Sequence, residues 1–212
     1  MFRLAFLPEG PSDGPLADII ERLFSRHEVV VDITEVPHDL LPTGTGRSVT
    51  ARLQATANMT ATPFAGYLIH RDADKIGPAQ RRTEIASSVE SASLSTPHVP
   101  VIPIRMTEAW LLLDEQAIRQ VAGNPKGRVA LDLPSRRQVE SHPDPKSCLS
   151  TALVAASEST GRRRRSIEKR FGEHRRQLLE RLDIDGPVTT LSGWKTLLDD
   201  VATMAATLGQ ER

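Results

Sequence analysis

Two short acidic segments hold the residue types suited to phosphate chemistry. FLPEG, residues 6–10, runs an apolar stretch into Glu9 and Gly10, and HRDADK, residues 70–75, closes another apolar stretch on Asp72 and Asp74. Alternate residues of extended backbone point the same way, so the spacing predicts that Asp72 and Asp74 project to one side. Two carboxylates about 4 Å apart repel by roughly a few kcal/mol at an effective dielectric of about 20, a cost that a divalent cation between them offsets. Hard oxygen donors without a His/Cys cluster favour Mg²⁺ or Mn²⁺ over Zn²⁺. Asp13 and Glu108, each at the start of an expected helix, join the set of candidate ligands. Every one of these acids also has a plain reading, as negative charge at the positive end of a helix or as a turn residue.

The elements that must position them follow from the hydrophobic pattern. FRLAFL (2–7), VVVDIT (29–34), AGYLIH (65–70) and HVPVIPI (98–104) read as short buried strands, the last at an edge because of Pro100 and Pro103. Between them, 12–27 shows apolar residues at 16, 19, 20, 23 and 24, and 45–59 and 76–92 also read as helices. Alternating strand and helix predicts an α/β fold with a mostly parallel, Rossmann-like sheet flanked by helices. The C-terminal ends of its strands then form one rim, where Glu9 meets the Asp72/Asp74 segment. TEAWLLLDEQAIRQVAG (107–123) reads as one helix, with Trp110 to Leu113 as core, and a Pro/Gly/Arg-rich loop follows. Asp144 and Pro145 look like the cap and first residue of a further helix, and a basic helix and a final helix containing Trp194 complete a helical extension. We divide the chain at 1–122 and 123–212.

Net charge is zero, but residues 161–182 hold nine Lys/Arg against three acids, so this segment is +6 and the remainder −6. It is either a solvated helix face or a surface that grips phosphates through Arg162, Arg163, Arg164, Arg165, Lys169 and Arg170. Aromatic residues are 4% of the chain, which argues against base stacking as the binding mode. The single cysteine, Cys148, makes no internal disulfide and reads as structural. With no apolar run long enough for a membrane span, a cytoplasmic protein is expected. PTGTGRS (42–48) fails the phosphate-loop spacing, no GxSxG occurs, and His70 is expected to pack or hydrogen-bond rather than ligate.

The order strand-Glu-Gly, helix, then strand-Asp-x-Asp resembles the Toprim domain of topoisomerases, primases and OLD-type (overcoming lysogenization defect) nucleases over residues 2–115. MTEAWLLLD followed by DPKSCL resembles a small OLD-like Toprim family. The resemblance implies a metal-dependent nuclease in phage defence or repair. In it Glu9, Asp13, Asp72, Asp74 and Glu108 would hold one or two Mg²⁺ or Mn²⁺ ions, and Glu9 and Lys146 would be catalytic. Asp13 is a methylene shorter than the Glu it replaces, which puts the second ion in doubt. Nucleic acid, DNA ahead of RNA, is the expected partner, with a separate ATPase subunit and a homodimer as further expectations. Two other readings stay open: a non-catalytic metal- or phosphate-binding module beside that ATPase, and an enzyme acting on a nucleotide or a specific RNA.

Overall fold

The computed structural model describes residues 1–210. Four strands, β1 (Phe2–Leu7), β2 (Val31–Glu35), β3 (Gly66–His70) and β4 (His98–Val101), form one all-parallel sheet in the order β2-β1-β3-β4. Phe2 lies opposite Val31, Leu7 opposite Ile69 and Tyr67 opposite His98. The chain leaves β1 for β2 and must cross back over β1 to reach β3, so the winding reverses between β1 and β3. Ligands of open parallel sheets collect in the crevice at such a reversal, outside the carboxyl ends of the strands.

Strand alternation sorts the core into two layers. Leu4 and Phe6 face one cluster with α1 (Leu16–Ser25), while Ala5 and Leu7 face another with α2 (Val49–Asn58) and α3 (Pro78–Ser91). Helix α1 buries Leu16, Ile19, Ile20, Leu23 and Phe24, the positions the spacing predicts. Ser48 caps α2 by accepting from the Ala51 N–H, and Pro78 occupies the first turn of α3, where its missing N–H has no intrahelical partner to lose. β4 is an edge strand, as Pro100 predicts, and β2 starts at Val31 because Val29 still belongs to the buried turn after α1.

Beyond the sheet lie α4 (Glu108–Leu111), α5 (Glu115–Val121), α6 (Pro145–Ala156), α7 (Gly161–Lys169), α8 (Phe171–Glu180) and α9 (Ser192–Gln210). The single helix expected over 107–123 is broken, because the Asp114 carboxylate accepts from the Ala117 N–H and begins α5 afresh. The basic segment is likewise two helices, parted at Arg170, whose φ −98, ψ 22 leave helical geometry. Asp144 and Pro145 open α6 as expected. Trp110 and Trp194 meet edge to face with ring centroids 5.0 Å apart, joining α4 to α9, and α9 packs on α1 and β4. The C-terminal helices therefore share one apolar core with the sheet. Among the described residues no helix is long and apolar enough to cross a membrane.

Candidate functional site

β1 and β3 are neighbours, so the residues just past their ends meet at the rim. Glu9 Oε2 accepts from the Asp72 backbone N–H at 2.7 Å, and its Oε1 lies 3.4 Å from Arg71 Nε. Asp72 Oδ1 accepts from both the backbone N–H (3.0 Å) and the hydroxyl (3.1 Å) of Thr107, at the start of α4. Its carbonyl accepts from Arg81 Nε of α3 at 2.9 Å. Each of the two carboxylates thus has one oxygen fixed by the protein, and Asp72 Oδ2 has no described partner. Both side chains remain partly exposed, 35% for Glu9 and 21% for Asp72.

Directly beneath them His70 is fully buried. Its Nε2 lies 3.2 Å from Thr107 Oγ1 and 3.5 Å from Asp72 Oδ1, and its Nδ1 lies 3.3 Å from Asp13 Oδ2. Burial alone would lower the imidazole pKa, but Asp13 and Asp72 overcome it and push the ring up to about 9. When protonated, the ring faces Asp13 through Nδ1 as an ion pair and donates from Nε2 to Thr107, whose hydroxyl in turn donates to Asp72. The Glu9 N–H also points at Nδ1 from 3.3 Å, a hydrogen bond that the neutral ring accepts.

Asp13 Oδ2 accepts from the Gly10 N–H at 2.7 Å, and its Oδ1 pairs with Arg175 Nη2 at 2.7 Å. Burial would raise its pKa, yet His70, Arg175 and the Gly10 N–H hold it well below the usual carboxylate range. Glu108 pairs with Arg175 Nε at 2.9 Å, and Arg175 Nη1 donates to the Ser12 carbonyl (3.0 Å) and hydroxyl (2.8 Å). Asp13, Glu108 and Arg175 are all buried. The sequence places both acids among the metal ligands; in the fold each is instead the counter-ion of one arginine.

Asp74 also departs from its expected place. β3 ends at His70, Asp74 sits at φ +47, and the alternation that would aim it beside Asp72 is lost. Its carboxylate turns toward Arg81 Nη2 at 3.5 Å, while Arg81 and Arg71 (3.1 Å) both engage Glu84. Among the described residues no three His, Cys, Asp or Glu side chains are grouped so as to hold a metal ion. The hard-oxygen pair Glu9 and Asp72 still suits Mg²⁺, which commonly takes one or two carboxylates and completes its shell with water and substrate phosphate.

No protein-family model, curated protein or solved structure matches the chain. The site therefore has to be read from its own geometry.

Lys146 is exposed in the first turn of α6 and makes no hydrogen bond or ion pair among the described residues. Arg162, Arg163, Arg164, Arg165, Lys169 and Arg170 are all exposed; Arg164 pairs with Glu168 and Arg170 with Glu173, at 3.2 and 2.6 Å. Helix α8 packs on the turn at Pro11–Asp13, whereas α7, which carries most of these residues, packs on α6. A cleft of about 370 Å³, lined by Pro8, Gly10, Pro11, Pro37, His38, Asp39 and Arg47, opens between the loops after β1 and β2 beside Glu9. At the end of β2, Glu35 is half-buried, and burial pushes its carboxyl up against the opposing effect of Arg176. The Cys148 thiol is pushed up by burial and by Asp144, the opposite of what a reactive thiolate needs. Sequence reasoning missed Arg175 and Thr107. The signal for Arg175 is its place on the apolar stripe Phe171, His174, Leu178, Leu179 and Leu182 of the basic segment.

Proposed function

We propose that this chain is a divalent-metal-dependent phosphodiesterase acting on nucleic acid, with a single-ion centre at Glu9 and Asp72. The observation that carries the reading is their hydrogen-bonded meeting at the ends of the two strands that flank the winding reversal. A bound Mg²⁺ or Mn²⁺ would supply charge neutralisation at the phosphate and a more acidic water. Thr107 fixes Asp72 through both its donors, which leaves Oδ2 to face a ligand. Arg71 and Arg81, held by Glu84 beside the rim, add positive charge where a phosphate anion would lie. The exposed arginines of α7 would track the nucleic-acid backbone, and Lys146 would stand near the phosphate if the Toprim resemblance holds for DPKSCL. That resemblance is also the ground for a setting in phage defence or repair beside a separate ATPase subunit, and for DNA ahead of RNA.

The rival, a metal- or phosphate-binding module without catalysis, gains from the commitment of Asp13 and Glu108 to Arg175, since fewer acids remain for chemistry. The two are separated by incubating the purified chain with labelled plasmid, single-stranded DNA and RNA in Mg²⁺, Mn²⁺ or chelator. Cutting that needs the metal and is lost in Asp72→Ala supports the enzyme. Complex formation with no cutting of any substrate supports the module.

A further inference from the structure

We propose that Arg175 is a built-in cation standing in the place of a second metal ion, so that the rim takes one ion and not two. The guanidinium is held by four oxygens from two segments: Asp13 Oδ1 at 2.7 Å, the Ser12 carbonyl and hydroxyl at 3.0 and 2.8 Å, and Glu108 Oε1 at 2.9 Å. Two carboxylates, a carbonyl and a hydroxyl are the hard donor set that Mg²⁺, Mn²⁺ or Ca²⁺ selects. Nε and Nη2 form one edge of the planar group, so the two carboxylate oxygens converge on a single edge, as they would on one ion.

Charge decides between the occupants. Asp13 and Glu108 are buried, and the buried Arg175 guanidinium already pairs with both. A dication entering beside Arg175 would add two buried positive charges with no new anion, and a buried charge without a partner is strongly disfavoured. A guanidinium also keeps its proton at any ordinary pH, and Asp13 and Glu108 raise its pKa further against the effect of burial. This cation is therefore always present and no chelator removes it. Because it comes from α8, Asp13 and Glu108 gain this shared counter-ion only when the C-terminal helices dock on the turn after β1.

The inference rests on the proposed function only in taking Glu9 and Asp72 as the site of the first ion. Its test counts Mn²⁺ bound per full-length chain by electron paramagnetic resonance and calorimetry, with no activity measured. Wild type and Arg175→Lys are expected to bind one ion. Arg175→Met, which keeps length and loses charge, is expected to bind one more than wild type, and Arg175→Met with Glu108→Gln to lose that gain. Two ions in wild type, or a folded Arg175→Met with an unchanged count, would overturn the proposal. No ion in wild type and one in Arg175→Met would sustain Arg175 and sink the Glu9/Asp72 centre. Should Arg175→Met not fold, Glu108→Gln alone decides: an unchanged count supports the proposal, and a count lower by one refutes it.

Discussion

Thr107→Val separates the hydroxyl's role from packing. Thr107 is fully buried, and valine has nearly its shape, so burial alone favours the substitution. The hydroxyl, however, donates to Asp72 Oδ1 at 3.1 Å and lies 3.2 Å from His70 Nε2, both ionised partners. A hydrogen bond to a charged group contributes about 1.5–3 kcal/mol. Its loss is softened because the Thr107 N–H still holds Asp72 and the His70 Nε2 proton keeps Asp72 Oδ1 at 3.5 Å. We therefore expect Thr107→Val to lose about 2 kcal/mol. Thr107→Ser, which loses only a methyl, should lose about 0.8 kcal/mol. Urea denaturation at pH 7 in chelator reads the difference, and Mn²⁺ affinity of the valine variant should fall about 10–100-fold, as for other groups that orient a ligand. If Thr107→Val is as stable as Thr107→Ser or more so, the relay from His70 through Thr107 to Asp72 is wrong.

Gly66→Ala places a Cβ into Met204 Cε and 3.1 Å from the Pro97 carbonyl, so it should destabilise by about 1–3 kcal/mol, with part recovered by Met204→Ala; thermal melts compare them. The metal-free protein should be most stable between about pH 4 and 6.5 in denaturation series. Asp13 has a depressed folded pKa, so its contribution is present above the ordinary carboxylate value and disappears on acidification. His70 has a raised one, so its contribution is complete below 6.5 and is lost as pH rises through about 9, a decline that Asp13→Asn should flatten. Replacing Arg162, Arg163, Arg165 and Lys169 by alanine should weaken nucleic-acid binding at low salt and reduce the log–log salt slope by about 0.9 for each phosphate contact removed. An unchanged slope would return this surface to a solubility role.

The strands, the positions α1 buries and the meeting of Glu9 with Asp72 were legible because local pattern governs them. The apolar runs are short and dense, and parallel connectivity brings strand ends together whatever the rest of the chain does. Asp74 was misread because alternation needs extended backbone: the chain still bonds to the segment after β4 through Ala73, but Asp74 itself takes φ +47. The break between α4 and α5 was hidden by a continuous apolar pattern, and only the capping choice of Asp114 reveals it. Arg175 was the hardest to see. An arginine inside a basic run reads as solvated, and its partners Ser12 and Asp13 lie about 160 positions away in the chain, so no window of sequence contains the ion pair. The same docking explains why Asp13 and Glu108 looked like ligands: an acid at a helix start carries no mark of what will neutralise it.

The most direct measurement is the single-turnover rate of labelled DNA cleavage in Mn²⁺ for wild type, Glu9→Gln and Asp72→Asn, all verified as folded. We expect chelator-sensitive cleavage by wild type and a fall of at least about 100-fold in each variant, since each removes one of only two carboxylates at the centre. Cleavage by Asp72→Asn at the wild-type rate would contradict a catalytic ion at the ends of β1 and β3.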